Sequence, residues 1–300
     1  MWFSASAPSA FAANFVVTAP SLPRLSSPLL AALLLSFFTC IASAQNPNRP
    51  PYASSSSSVS PSGPEKDLFD AANRERAAED LPPLRWDASL AAAARQHALR
   101  MSEERLVEHE YSGEPSLRDR TAASGAHFSV VAENIAVAKD TVIIHMSWMH
   151  SPGHRHNILD PQLTSIGIAV VDRRGYLFAV QDFSLAVEAL TLDQQEQRVA
   201  DELRASGFTA VVGTSDARKA CALDDGHSGN ALTYLRFETS DLTHLPASVT
   251  ARLASVEHHF AAVGACTAKT TGFTRYRIAI LFFADSRSVG SLGGSFPAQH

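Results

Sequence analysis

Basic charge is scarce and scattered. Twenty-five Lys and Arg stand against 30 Asp and Glu, a net charge of -5, and no lysine-rich or arginine-rich block occurs. Nothing here neutralises a phosphate backbone, which excludes nucleic acid as a partner. Long apolar runs are lacking as well: the N-terminal one, Leu29 to Phe38, is too short for a comfortable membrane span. No internal repeat is found, no Gly-x-Ser-x-Gly elbow surrounds Ser151, and no His-Glu-x-x-His helix is present. What the chain does have is apolar residues, 45% against 18% charged, enough to bury a core and to exclude wholesale disorder or a fibrous structure.

The N-terminus reads as an address. Arg24 precedes the apolar run, and Ala42-Ser43-Ala44 supplies the small-x-small pattern that a signal peptidase needs. Residues 1–44 are therefore expected to be a cleavable signal peptide, leaving no transmembrane span in the mature chain, with the product secreted, periplasmic or extracellular. Cys40 would leave with the signal. Thr39 stands where a lipobox wants a small residue, against lipid anchoring. The remaining pair, Cys221 and Cys266, suggests one disulfide in an exported chain, although spacing alone also fits two buried thiols.

Residues 45–64, with the serine run Ser54 to Ser58 and several prolines, read as a Ser/Pro-rich linker. In 65–184 helical signals come first. Leu68, Phe69 and Ala72 share a face until Leu81-Pro82-Pro83-Leu84, and Asp87 caps a helix through Arg105 with Leu90, Ala94, His97 and Met101 inward. Asp140 or Thr141 caps another through Trp148, which Ser151-Pro152-Gly153 is expected to end. Ile166, Ile168 and Val170, the turn Arg173-Arg174-Gly175, and Tyr176 to Phe183 make an antiparallel hairpin. The class is α+β, helices packed on a sheet.

Residues 190–285 read as a small C-terminal α/β domain of unassigned role. A helix is expected over Asp193 to Ser206, a strand over Ala231 to Glu238, a helix around Ser248 to Phe260, and a strand over Tyr276 to Phe283. Residues 286–300, rich in Gly and Ser, read as a flexible tail.

The chemistry concentrates in His109, Ala132-Glu133-Asn134-Ile135, and the string Trp148-Met149-His150-Ser151-Pro152-Gly153-His154-Arg155-His156-Asn157-Ile158-Leu159. Together these residues resemble the bacterial branch of the CAP superfamily, or SCP domain, which includes cysteine-rich secretory proteins, insect antigens and plant pathogenesis-related proteins. The resemblance covers about 65–184. It implies a three-layer α-β-α sandwich with a surface cleft where two histidines and two acids meet and can hold a divalent ion. Carried over residue by residue, the metal ligands are His109, Glu133 and His154. The fourth position, an acid in the family pattern, falls on Ser151, as it commonly does in the bacterial branch, and Ala132 replaces a usual Gly.

Two imidazoles and one carboxylate suit zinc best, with calcium or magnesium as alternatives, and no organic cofactor is implied. Ser151, His150 and Asn134 are further cleft candidates. His150 or His156 could stand in for the missing acid, although Pro152 and Gly153 preclude a helical ladder between His150 and His154. His97 reads as a core histidine with a satisfied nitrogen, and His145 has no assignable role.

Relatives bind sterols, fatty acids and other apolar molecules, and some act on host or cell-envelope targets. The resemblance therefore implies a binding module for an apolar small molecule or a cell-envelope component rather than an enzyme. One alternative is a secreted metal-dependent or serine hydrolase, a peptidase, using the same cleft through Ser151, His154 and Glu133. Another is a structural adaptor acting through the C-terminal domain.

Overall fold

The computed structural model describes residues 60–285 apart from 62, 228, 258, 270 and 271. The expected signal peptide 1–44, the linker up to Val59 and the tail 286–300 lie outside the described residues.

Helix α1, Gly63–Ala78, turns Leu68, Ala72 and Arg76 inward. Buried Arg76 donates to the carbonyls of Pro82, Ile158, Asp160 and Leu163, which binds α1 to the segment after α5. The diproline break leads into a two-residue strand, β1, Arg85–Trp86. Asp87 then caps α2, Ala88–Glu104, accepting from the Ser89 and Leu90 amides at 2.8 and 3.1 Å. A short α3, Leu117–Ala123, precedes β2, Phe128–Ala138. Asp140 caps α4, Thr141–His150. The chain breaks helix for one residue only, because Ser151 is extended and Pro152 takes the first helical position of α5, Pro152–Leu159. A proline is suited to that position, where its missing N–H costs nothing. The string expected to end a helix thus also starts one. The hairpin follows as β3, Ser165–Arg173, and β4, Tyr176–Ala186, turning through Arg174 and Gly175 at positive φ.

Strand order is β1-β3-β4-β2, with β1 parallel to β3 and the other pairs antiparallel. Alternation sends Ile166, Ile168, Ala179 and Phe183 to a core shared with α1, α4 and α5 and Ile135, Ala169, Phe178 and Val180 to one shared with α2. The result is a three-layer α-β-α sandwich. At Gly167 a Cβ would sit 2.0 Å from the Ala91 nitrogen, so glycine is what lets α2 lie this close to β3.

The C-terminal part forms a second sheet. Thr191 and Gln194 make a reciprocal capping box for α6, Leu192–Ala205. Then come β5, Thr209–Val212; α7, Ser215–Ala222; β6, Thr233–Thr239; α8, Ala247–Leu253; β7, Phe260–Thr267; and β8, Tyr276–Phe283. The order is β5-β7-β8-β6, with β5 and β7 parallel. The helix expected as far as Phe260 ends at Leu253, and Phe260 opens a strand instead. Flanked by β5 and β8, β7 is apolar on both faces, so it carries no alternating pattern to read. Cys221 on α7 and Cys266 on β7 are joined in a disulfide.

The connection before β8 touches the first sheet. The Thr274 amide donates to the Phe128 carbonyl at 2.8 Å, and the Phe128 amide donates to the Thr274 hydroxyl at 3.2 Å. The Phe273 ring meets Phe128 edge-on at 5.8 Å, with the Arg118 guanidinium above it.

Candidate functional site

Glu133 lies on β2 with its side chain on the α2 face, almost fully buried, and both its oxygens are engaged. His109, in the loop after α2, places Nδ1 2.7 Å from Oε1, and Arg120 of α3 donates to Oε2. Burial works against the Glu133 charge, but His109, Arg120 and His97 together outweigh it and hold the carboxyl below its ordinary range. Directly across the ladder, Glu133 pairs with Asp182 of β4. Asp182 is completely buried, and neither of its oxygens has a donor among the described residues. Burial first, then the neighbouring Glu133 charge, push its pKa well above the carboxylate range. Of the two carboxyls, Asp182 is thus the one that holds a proton more readily.

His97 completes this buried cluster from α2. Its Nδ1 lies 2.7 Å from Glu114 Oε1 and its Nε2 2.9 Å from the Glu108 carbonyl, so each ring nitrogen of this buried histidine faces an oxygen acceptor.

The opposite face of β2 is occupied by amides. Asn134 donates to the His154 carbonyl at 3.1 Å and to Gln181 Oε1 at 3.2 Å, while Asn157 donates to Asn134 Oδ1 at 2.9 Å. Because β2 is an outer strand, its free carbonyls need cover. Trp148 Nε1 reaches the Ile135 carbonyl at 3.1 Å and Asn157 Nδ2 the Glu133 carbonyl at 3.2 Å. The tryptophan and asparagine of the sequence string thus cap the sheet edge and hold α4 and α5 against it. Asn134 is a buried fastener of α5.

His154 is half-buried on α5. Burial, and then the nearby His109 charge, lower its pKa, which favours the neutral imidazole with its lone pair. Exposed His150 has its Nδ1 on the Met146 carbonyl at 2.7 Å. Ser151 N-caps α5 without a side-chain cap bond, and its hydroxyl has no hydrogen-bond partner among the described residues, so no base-paired nucleophile is assembled there. His156 is exposed, and His145 lies 3.2 Å from Glu75. Among the described residues, no group of three or more His, Cys, Asp or Glu side chains is placed to hold a metal ion. Sequence reasoning missed Arg120 and Asp182. A carboxylate inside the apolar run of β4 is a signal that could have found the second; nothing marks the first.

The three-layer sandwich, with its His109-Glu133 pair and the α4–α5 string, is similar to CAP-type domains. Residues 69–183 match the model of the cysteine-rich secretory protein (CAP) family. It is 33% identical over 109 residues to the uncharacterized protein YkwD of Bacillus subtilis, covering 36% of this chain and 42% of that one. It is 33% identical over 113 residues to the uncharacterized membrane protein YlbC of the same organism, covering 37% and 32%. The chain thus spans less than half the length of these curated relatives. An extracellular SCP-domain protein of Bacillus anthracis shares 32% identity over 41% of this chain and 40% of that one, with a TM-score of 0.39.

Proposed function

We propose that the protein is an extracellular binding module of the CAP type. In this reading His109 and His154 together take a divalent cation, zinc by preference, while Glu133 stands behind His109 rather than ligating. The observation that carries it is the His109–Glu133–Arg120 chain. A buried carboxylate on Nδ1 fixes the imidazole and turns Nε2 outward, the outer-shell arrangement metal-binding histidines use, while a guanidinium on the same carboxylate makes it a poor direct ligand. Two protein ligands leave open positions, so binding is weak and weakens further as the histidines protonate.

Beside α5, helix α4 turns Val142, Ile143 and Met146 to solvent at 66%, 51% and 52% exposure. That strip supports an apolar small molecule or a cell-envelope component as the ligand. Zinc calorimetry at pH 7.5, followed by titration of a fluorescent fatty acid with and without the metal, tests both parts. One-to-one zinc binding lost in His109→Ala/His154→Ala, and fatty-acid binding lost in Val142→Ser/Met146→Ser, are the expected results. Absence of both, or peptidase activity that disappears with His109→Ala, overturns the reading.

A further inference from the structure

The two sheets treat their edges differently. On the first sheet the outer strand β2 has carbonyls covered by Trp148 and Asn157, and the other edge, β1, is only two residues long. On the second sheet, β5 has four residues, and Arg204 donates to its Ala210 carbonyl through Nε and Nη2 at 3.2 and 2.8 Å. β6 is the exception. It is seven residues long and pairs with β8 on one side, and its other side has no main-chain or side-chain hydrogen-bond partner among the described residues.

The features that usually blunt a bare edge are also missing. β6 has no proline and no lysine. Arg236 is turned away, donating to the carbonyls of Ala220, Asp224 and Gly226 at the end of α7, and Glu238 faces Arg277 at 3.5 Å. Beside the start of β6 runs a groove of about 350 Å³ between the strand and the segment ending α8. Leu232, Leu235 and Val256 supply its apolar lining, and Arg252 and Glu257 line it as well. Leu232 is 56% exposed there.

We propose that β6 is a docking edge for an extended peptide of a partner protein, which adds to the sheet as a fifth strand and places an apolar side chain in the groove. Unpaired amides and carbonyls in a row are satisfied by another main chain, while the adjoining groove reads alternate side chains. A groove lined by apolar side chains and by one charge of each sign suits a neutral, apolar residue at that point.

The test is panning of the purified protein with a phage-displayed library of random dodecapeptides, followed by calorimetry of the selected peptides. Expected are peptides with alternating apolar residues whose affinity falls about tenfold or more in Leu232→Asp and in Thr233→Lys, both exposed positions, with unchanged circular dichroism as the control for folding. N-methylation along a selected peptide should abolish binding at alternate backbone nitrogens only, which a groove without strand addition would not produce. Selected peptides that bind equally well to both variants, or that tolerate every N-methyl group, overturn the proposal. So does a concentration-dependent dimer lost in Leu232→Asp, which would make a second copy of the chain the occupant.

Discussion

Glu133 and Asp182 face each other as a cross-strand pair of β2 and β4, and their pKa values are pushed in opposite directions, Glu133 down and Asp182 up. Arg120 stands against the Glu133 carboxylate.

Asp182 keeps its proton in the fold to a higher pH than the unfolded chain does. Above the ordinary carboxylate range the native state binds more protons, so this group's contribution is full below about pH 3.9 and is lost as the pH rises. Asp182→Asn, which mimics the protonated form, should stabilise the protein by about 1–3 kcal/mol at neutral pH and flatten the dependence. Thermal melts from pH 4 to 8 check this, and an unaltered pH profile would refute a raised Asp182 pKa.

Arg120 is the buried counter-charge. Arg120→Met takes the buried guanidinium from Glu133, leaving the carboxylate only its histidine neighbours, and should cost about 3–5 kcal/mol, whereas adding Glu133→Gln should recover much of that loss. Urea denaturation at pH 7 measures both, and no recovery in the double variant would show that packing rather than charge carries the effect.

Gly167→Ala should destabilise by about 2–3 kcal/mol, since its Cβ would lie 2.0 Å from the Ala91 nitrogen and α2 would have to move. The same denaturation experiment reads it. A neutral result would mean that α2 is not seated on β3 through this position.

The disulfide closes a separation of 45 residues. In the loop-entropy account, Cys221→Ser/Cys266→Ser loses about 4 kcal/mol. Calorimetry of the two forms provides the comparison, and a loss below about 1 kcal/mol would indicate that the second sheet holds without its crosslink.

The legible parts of the fold were those with local markers. Asp87 is an N-cap as read, Asp140 is the cap of the two residues offered for α4, and the β3–β4 hairpin and β8 follow their apolar patterns. Strands β5 and β7 and helix α7 were not legible, because small apolar residues such as those of Phe260–Thr267 suit helix or strand equally and only their place in the sheet decides. At the site, His109 and Glu133, named from the sequence as metal ligands, stand at hydrogen-bond distance from each other. The engagement of Glu133 by Arg120 was invisible, since it depends on α3 crossing over β2 and no spacing encodes that. The same holds for Trp148 and Asn157, residues of an obvious string whose work on the sheet edge emerges only in three dimensions.

Phe128, the first residue of the strand that carries Glu133, has both its amide and its carbonyl held by Thr274. The family-like portion is consequently not a free-standing cassette. Transplanted without the C-terminal part, it would open β2 with a loose main chain and with the Phe128 ring stripped of its Phe273 cover. A graft of the cleft onto another protein would therefore need a substitute for residues 273–274, or a polar replacement at Phe128, to remain soluble.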